Sequence, residues 1–214
     1  MHKTGRLPKF LLILSLTSLF LVGCQTYVDP DSAESSSEST TPTASSHEFI
    51  DPNAAANNKF TQNVTILANG NIIFANPLDD TVATNAGAVH LYNPFTKTLV
   101  ASFYGDAAND NIGLVYEDWM MPEYNRYGII ALTNNNFVIA SPYDDGAYSD
   151  TGSVMLINGA TGVQIGTTIV GDDASDKLGY SSVTALANNN FVIASKYDDG
   201  LYTNTGSVML VSGV

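Results

Sequence analysis

Among 214 residues this chain has one cysteine, one tryptophan and 8 lysines and arginines, set against 21 aspartates and glutamates. A lone thiol excludes an intramolecular disulfide, so any folded domain is held by its core alone, even in an oxidising compartment. The scarcity of cations removes the basic patches that nucleic acid and anionic headgroups require, and no nucleic-acid partner is expected. Catalytic and zinc signatures are missing too. His2, His47 and His90 have no cysteine partner and no paired-histidine spacing. No serine stands in a nucleophile elbow, so no catalytic residue is assigned and an enzyme is not expected.

What is present begins at the first residues. Lys3, Arg6 and Lys9 precede an apolar run over residues 10–22, broken only by Ser15, Thr17 and Ser18. A basic start, a short apolar core and small closing residues describe a secretory signal over 1–23. The run falls short of the ~20 residues of a membrane-spanning helix. It closes on Leu21-Val22-Gly23-Cys24, which resembles the lipobox of bacterial lipoproteins. The resemblance implies cleavage before Cys24 and a diacylglycerol on its thiol. It thereby implies a membrane partner reached through lipid, firmly held because two or three acyl chains anchor stably. Gln25, rather than aspartate, follows the cysteine, which in a Gram-negative cell resembles sorting to the outer membrane. Loss of 1–23 removes three cations and no acid. The mature chain then has 5 cations against 21 acids, a formal charge of −16. Such acidity serves solubility, or suits cations or a basic partner surface.

Residues 24–59 read as a tether. Ten of the sixteen residues 31–46 are Ser or Thr, too little apolar surface to offset ordering entropy, so a disordered linker is expected.

Residues 60–214 are dominated by an internal repeat. Residues 134–158, NNNFVIASPYDDGAYSDTGSVMLIN, and 188–212, NNNFVIASKYDDGLYTNTGSVMLVS, agree at nineteen of 25 positions. An earlier and more divergent copy runs from Asn69-Gly70-Asn71 through IIFANPLDD to GAVHLYN at 87–93. The connectors 105–110 and 171–176 repeat as well. Units are placed at about 60–113, 128–179 and 180–214, with an insertion at 114–127. Each unit shows a strand, an Asn-rich turn, the apolar run FVIAS, a polar loop and a third strand; the second unit adds a fourth strand over 163–170. No segment sustains helical periodicity. The expected class is therefore all-β: a partial β-propeller-like array of four-stranded repeats, about 2.7 blades.

Leu178-Gly179-Tyr180, Ala140-Ser141-Pro142 and the Tyr-Asp-Asp-Gly and Thr-Gly-Ser-Val steps resemble a divergent FG-GAP repeat, the unit of the integrin α-chain propeller. That family often holds calcium in the hairpin between its first two strands. Here residues 133–137 and 187–191 carry no carboxylate there, so no calcium is expected at that hairpin. No cofactor is assigned beyond the acyl lipid on Cys24.

The Asp pairs 79/80, 144/145 and 198/199 recur at one place in each unit, which points to turn capping rather than catalysis. Asp172, Asp173 and Asp176 are close enough in sequence to be candidates for a cation site. The insertion carries Tyr116, Trp119 and Tyr124, residues suited to a binding loop or, equally, to plugging apolar surface. The repeat count leaves a propeller open, since closed ones take at least four blades. Truncation of a longer protein, a ring of several copies and a short open stack are the three readings. The expected function is a non-enzymatic adhesion module taking a protein or glycan ligand. Its alternative is an envelope component that self-associates through open sheet edges.

Overall fold

The computed structural model describes residues 46–114 and 128–213. Eleven strands form three antiparallel sheets, and the described residues contain no helix. The first sheet holds β1 (Asn63–Ile66), β2 (Ile72–Asn76), β3 (Ala88–Asn93) and β4 (Thr98–Tyr104) in that spatial order. The second holds β5 (Ile129–Ala131), β6 (Phe137–Ser141), β7 (Ser153–Ile157) and β8 (Ile169–Val170). The third holds β9 (Ser182–Ala185), β10 (Phe191–Ser195) and β11 (Ser207–Val211), with β10 in the middle. β1 lies beside β5, and β5 beside β9. No sheet closes on itself, and the open all-β array fits a partial propeller.

The hairpin between the first two strands of each unit turns on one residue of positive φ: Gly70 at 86°, Asn135 at 70° and Asn189 at 67°. Glycine and asparagine are the residues that tolerate this conformation, which is why the tip reads Asn-Gly-Asn or Asn-Asn-Asn. The side chains of Asn69, Asn134 and Asn188 each accept from the backbone N–H two residues on, closing the turn.

The run FVIAS is apolar throughout because both faces of the middle sheet are covered. Phe137, Ile139 and Ile157 pack with Ile73, Ala75, Val89 and Leu91 of the first sheet. Val138, Ala140, Val154 and Leu156 pack with Phe191 and Ile193 of the third. Ile112 enters the first interface and Leu178 the second, so the Leu-Gly step of the connector is part of the packing.

Two expectations need correction. The fourth strand of the second unit reduces to Ile169–Val170 plus one bridge, Ile157 to Gln164. Gly166, at φ 72°, breaks the pairing between them. Residues 46–59, expected to be part of a tether, pack with the sheets instead. Residues from Ser46 on belong to the compact unit, and Phe49 and Phe60 pack their rings on Phe74 of the first sheet. Tyr92 Oη donates to the carbonyl of Ile50 at 3.0 Å. Polar composition dominates residues 31–46, but two phenylalanines farther on suffice to bring the segment back onto the sheet.

Candidate functional site

Cys24 and the signal expected over residues 1–23, and Tyr116, Trp119 and Tyr124 of the insertion, lie outside the described residues. Among the described residues no helix is long and apolar enough to cross a membrane. Asp172 and Asp173 are exposed, whereas Asp176 is fully buried. Its Oδ2 accepts from the backbone N–H of Asp172 and Asp173, and its Oδ1 from that of Asp199 in the next unit. Asp110 does the same for Asp106, Ala107 and Asp145. This aspartate is thus a turn cap that also ties the connector to the following loop. In the Asp pairs, the second member holds the loop: Asp80, Asp145 and Asp199 accept from the N–H five residues on.

The units are joined by a contact that recurs. Asn69 and Asn71 donate their side-chain amides to the carbonyl of Gly159, at 3.2 and 2.8 Å. Asn134 and Asn136 donate to Gly213 at 2.7 and 3.0 Å. A Cβ at Gly159 would stand 1.9 Å from the Asn135 carbonyl oxygen and 2.3 Å from Leu67. Only glycine brings its carbonyl this close. In the first unit, which receives no preceding sheet among the described residues, Pro94 takes that place. A second contact runs along the connector. The N–H groups of Asn109, Asn111 and Ile112 donate to the carbonyls of Thr84, Asn85 and Ala86. Those of Ser175, Lys177 and Leu178 donate to Ser149, Asp150 and Thr151.

The third unit keeps the donor half of this pattern and leaves it uncovered. Val208 and Leu210 are 75% and 65% exposed, whereas their counterparts Val154 and Leu156 are 1% and 7% exposed. Asn188 and Asn190 repeat the amide pair but reach no glycine carbonyl among the described residues, and no connector ladder reaches residues 203–205. A cavity of about 400 Å³ on this side is lined by Ser181, Ala194, Lys196, Gly206 and Val208. At the other end of the array the outer face of the first sheet is covered by residues 46–62: Phe49 and Phe60 pack there, and Asn58 is buried.

Beneath that cover lies a polar cluster. Asp79, Asn76 and His90 are buried to within 1% of full burial. Carboxylate oxygens of Asp51 and Asp79 and a ring nitrogen of His90 lie within 4.8 Å of one another. The amide of Asn76 donates to Oδ2 of both aspartates at 3.0 Å, and that of Asn58 reaches the same two atoms at 3.2 and 3.4 Å. Burial pulls the His90 imidazole below its ordinary pKa, with Asp51 and Asp79 opposing. A second acidic group, Asp106, Asp110 and Asp144, borders a cavity of about 290 Å³ between the first connector and the second sheet. Burial raises the Asp144 carboxyl; a hydrogen bond from Ser153 opposes this, and Asp106 and Asp145 add to it. Burial likewise raises Asp110, against the backbone N–H of Ala107.

Both features escape a reading of motifs. His90 stands alone in an apolar strand, and its acidic neighbours come from the polar segment before β1 and from the loop after β2. One signal was available: the first unit has Asn76 and His90 where the others have Ser141 and Ser195, and Met155 and Met209.

Residues 131–180 match a family model described as a repeat of unknown function (DUF5650). The match runs from the end of β5 through the connector to Tyr180, one unit of the array, and no curated protein matches the chain.

Proposed function

We propose that the chain is a lipid-anchored, extracytoplasmic, non-enzymatic binding module whose binding face is the uncovered side of the third sheet. The exposure of Val208 and Leu210, beside the burial of Val154 and Leu156 in the same repeat position, carries this reading. The occupant that fits is another sheet of the same repeat type. It would supply a Phe-x-Ile strand against Val208 and Leu210, a connector to donate to the carbonyls of residues 203–205, and a glycine carbonyl for Asn188 and Asn190. Each element is what the second and third sheets supply to the units before them. Burying a valine and a leucine contributes ~1.5–3 kcal/mol each, which favours a durable contact. A head-to-tail filament of identical chains would require residues 46–62 to leave the first sheet, so the self-assembling reading is second to a partner that bears the repeat.

A photo-reactive residue at position 210 of the full lipoprotein, activated in the producing cells, tests the face. The expected adduct joins position 210 to a Phe-x-Ile strand of a repeat-bearing polypeptide. Adducts only to a glycan or to a protein without the repeat, or none at all, would overturn this occupant. The anchor rests on the sequence around Cys24. With Cys24→Ser, the protein is expected to lose acyl label and to leave the membrane fraction or keep its leader uncut; an unchanged acyl label would contradict it.

A further inference from the structure

We infer that Asp51, Asp79 and His90, with Asn58 and Asn76, form a binding site for one divalent cation of the zinc or manganese class. Four observations converge on it, and none depends on the binding face at the other end of the array.

The first is charge. Two carboxylates are held within 4.8 Å of each other, and the side chains that donate to them are the neutral amides of Asn58 and Asn76. The one ion pair among the described residues, Lys177 to Asp150, lies elsewhere. Buried like charges of this kind call for a cation.

The second is unspent bonding capacity. His90 Nε2, Asn76 Oδ1 and Asn58 Oδ1 are buried and find no protein hydrogen-bond partner. His90 Nδ1 meets Ser102 Oγ at 2.8 Å. With Nδ1–H donating to that hydroxyl, Nε2 presents a lone pair, the arrangement that orients a metal-ligating imidazole. Buried polar atoms are seldom left in this state, and His90 belongs to the same cluster as the two carboxylates.

The third is geometry. Metal–ligand bonds of ~2.0–2.2 Å put facing donors at most ~4.4 Å apart. The observed 4.8 Å bound closes on one ion with a small inward movement. Turning an asparagine amide to present oxygen exchanges its hydrogen bond to the carboxylates for a bond to the ion, since the two ends of an amide differ little in shape. One imidazole nitrogen among carboxylate and amide oxygens suits zinc or manganese better than calcium, whose sites are all oxygen.

The fourth is the repeat itself. The other units place methionine where His90 stands and serine where Asn76 stands. The ligand set exists only in the unit that residues 46–62 cover, and that segment brings Asp51 and Asn58. The cation would therefore fasten the chain entering the domain to its first sheet.

The test uses the full chain in detergent, stripped with chelator and titrated with Zn²⁺ or Mn²⁺ by calorimetry, with bound metal counted by elemental analysis. The expected result is one equivalent bound and a higher melting temperature with metal. His90→Met installs the residue that the repeat carries at this position, so the fold is kept; it is expected to weaken binding at least tenfold. Asp79→Asn should do likewise, whereas Asp144→Asn, in the second acidic group, leaves binding unchanged. Absence of a bound equivalent in the parent chain, or equal affinity in His90→Met with native circular dichroism, would overturn the site.

Discussion

The side-chain amide of Asn136 donates to the carbonyl of Gly213, 3.0 Å away and 77 positions on. Asn71 makes the same bond to Gly159, so a pair of amide hydrogen bonds at each hairpin tip adds to the apolar packing that joins one sheet to the next. Losing one bond leaves a buried carbonyl to the remaining amide. Replacing both Asn134 and Asn136 with alanine should destabilise the domain by ~1–3 kcal/mol in urea denaturation. The same double change at Asn188 and Asn190, which reach no such carbonyl among the described residues, should cost less, since it loses only the turn-closing bond of Asn188.

Gly159 supplies the other side of that contact. Gly159→Ala drives a methyl into the Asn135 carbonyl and Leu67, and should cost ~3 kcal/mol through overpacking. Gly166 has nothing within 4 Å of an added Cβ, so Gly166→Ala should cost only the ~1–2 kcal/mol of its positive φ. Thermal melts of the two variants give the ranking.

Leucines at one repeat position should behave oppositely in two units. Leu156→Ala opens a cavity between the second and third sheets and should cost ~2–5 kcal/mol. Leu210→Ala, on the uncovered face, should cost less than ~0.5 kcal/mol in the isolated chain. Similar losses at both positions would mean that the third sheet's outer side is already packed.

The half-buried Asp144 gives a pH dependence of definite sign. Its folded pKa lies above the unfolded value of ~4 because burial disfavours the charged form. The folded state therefore binds its proton more tightly. This stabilisation is fully present below the unfolded pKa and is lost as pH rises through the folded one. Urea denaturation at pH 4 and pH 7 should show the parent chain losing ground to Asp144→Asn as pH rises. A constant difference, or one growing in the parent's favour, would contradict the burial argument.

The sheets were legible because their signals are local and periodic. FVIAS announces a strand, fully buried in the second unit and half covered in the third, and Asn-Gly-Asn or Asn-Asn-Asn a tip of positive φ. Repetition also made the Asp pairs readable as loop caps, although the role of Asp176 was not: three neighbouring acids look like ligands until one is seen to accept the N–H groups of the other two. The polar cluster was illegible for another reason. Asp51, Asp79 and His90 come from three separate segments, and only the return of Phe49 and Phe60 onto the first sheet brings them together. The uncovered face was hidden in identity itself. SVMLI and SVMLV read as the same strand, yet β7 is buried and β11 is not.

Because Gly213 stands where Gly159 stands, residues 160–213 can be appended after Gly213 in repeat register. Hydrogen exchange across Val208, Met209 and Leu210 in this extended chain tests the docking face most directly. These amides should slow by at least ~100-fold, and alanine at Asn188 and Asn190, less costly in the parent, should now cost ~1–3 kcal/mol. If the appended residues exchange as unfolded chain while β11 remains as fast as before, the third sheet offers no seat for a further one.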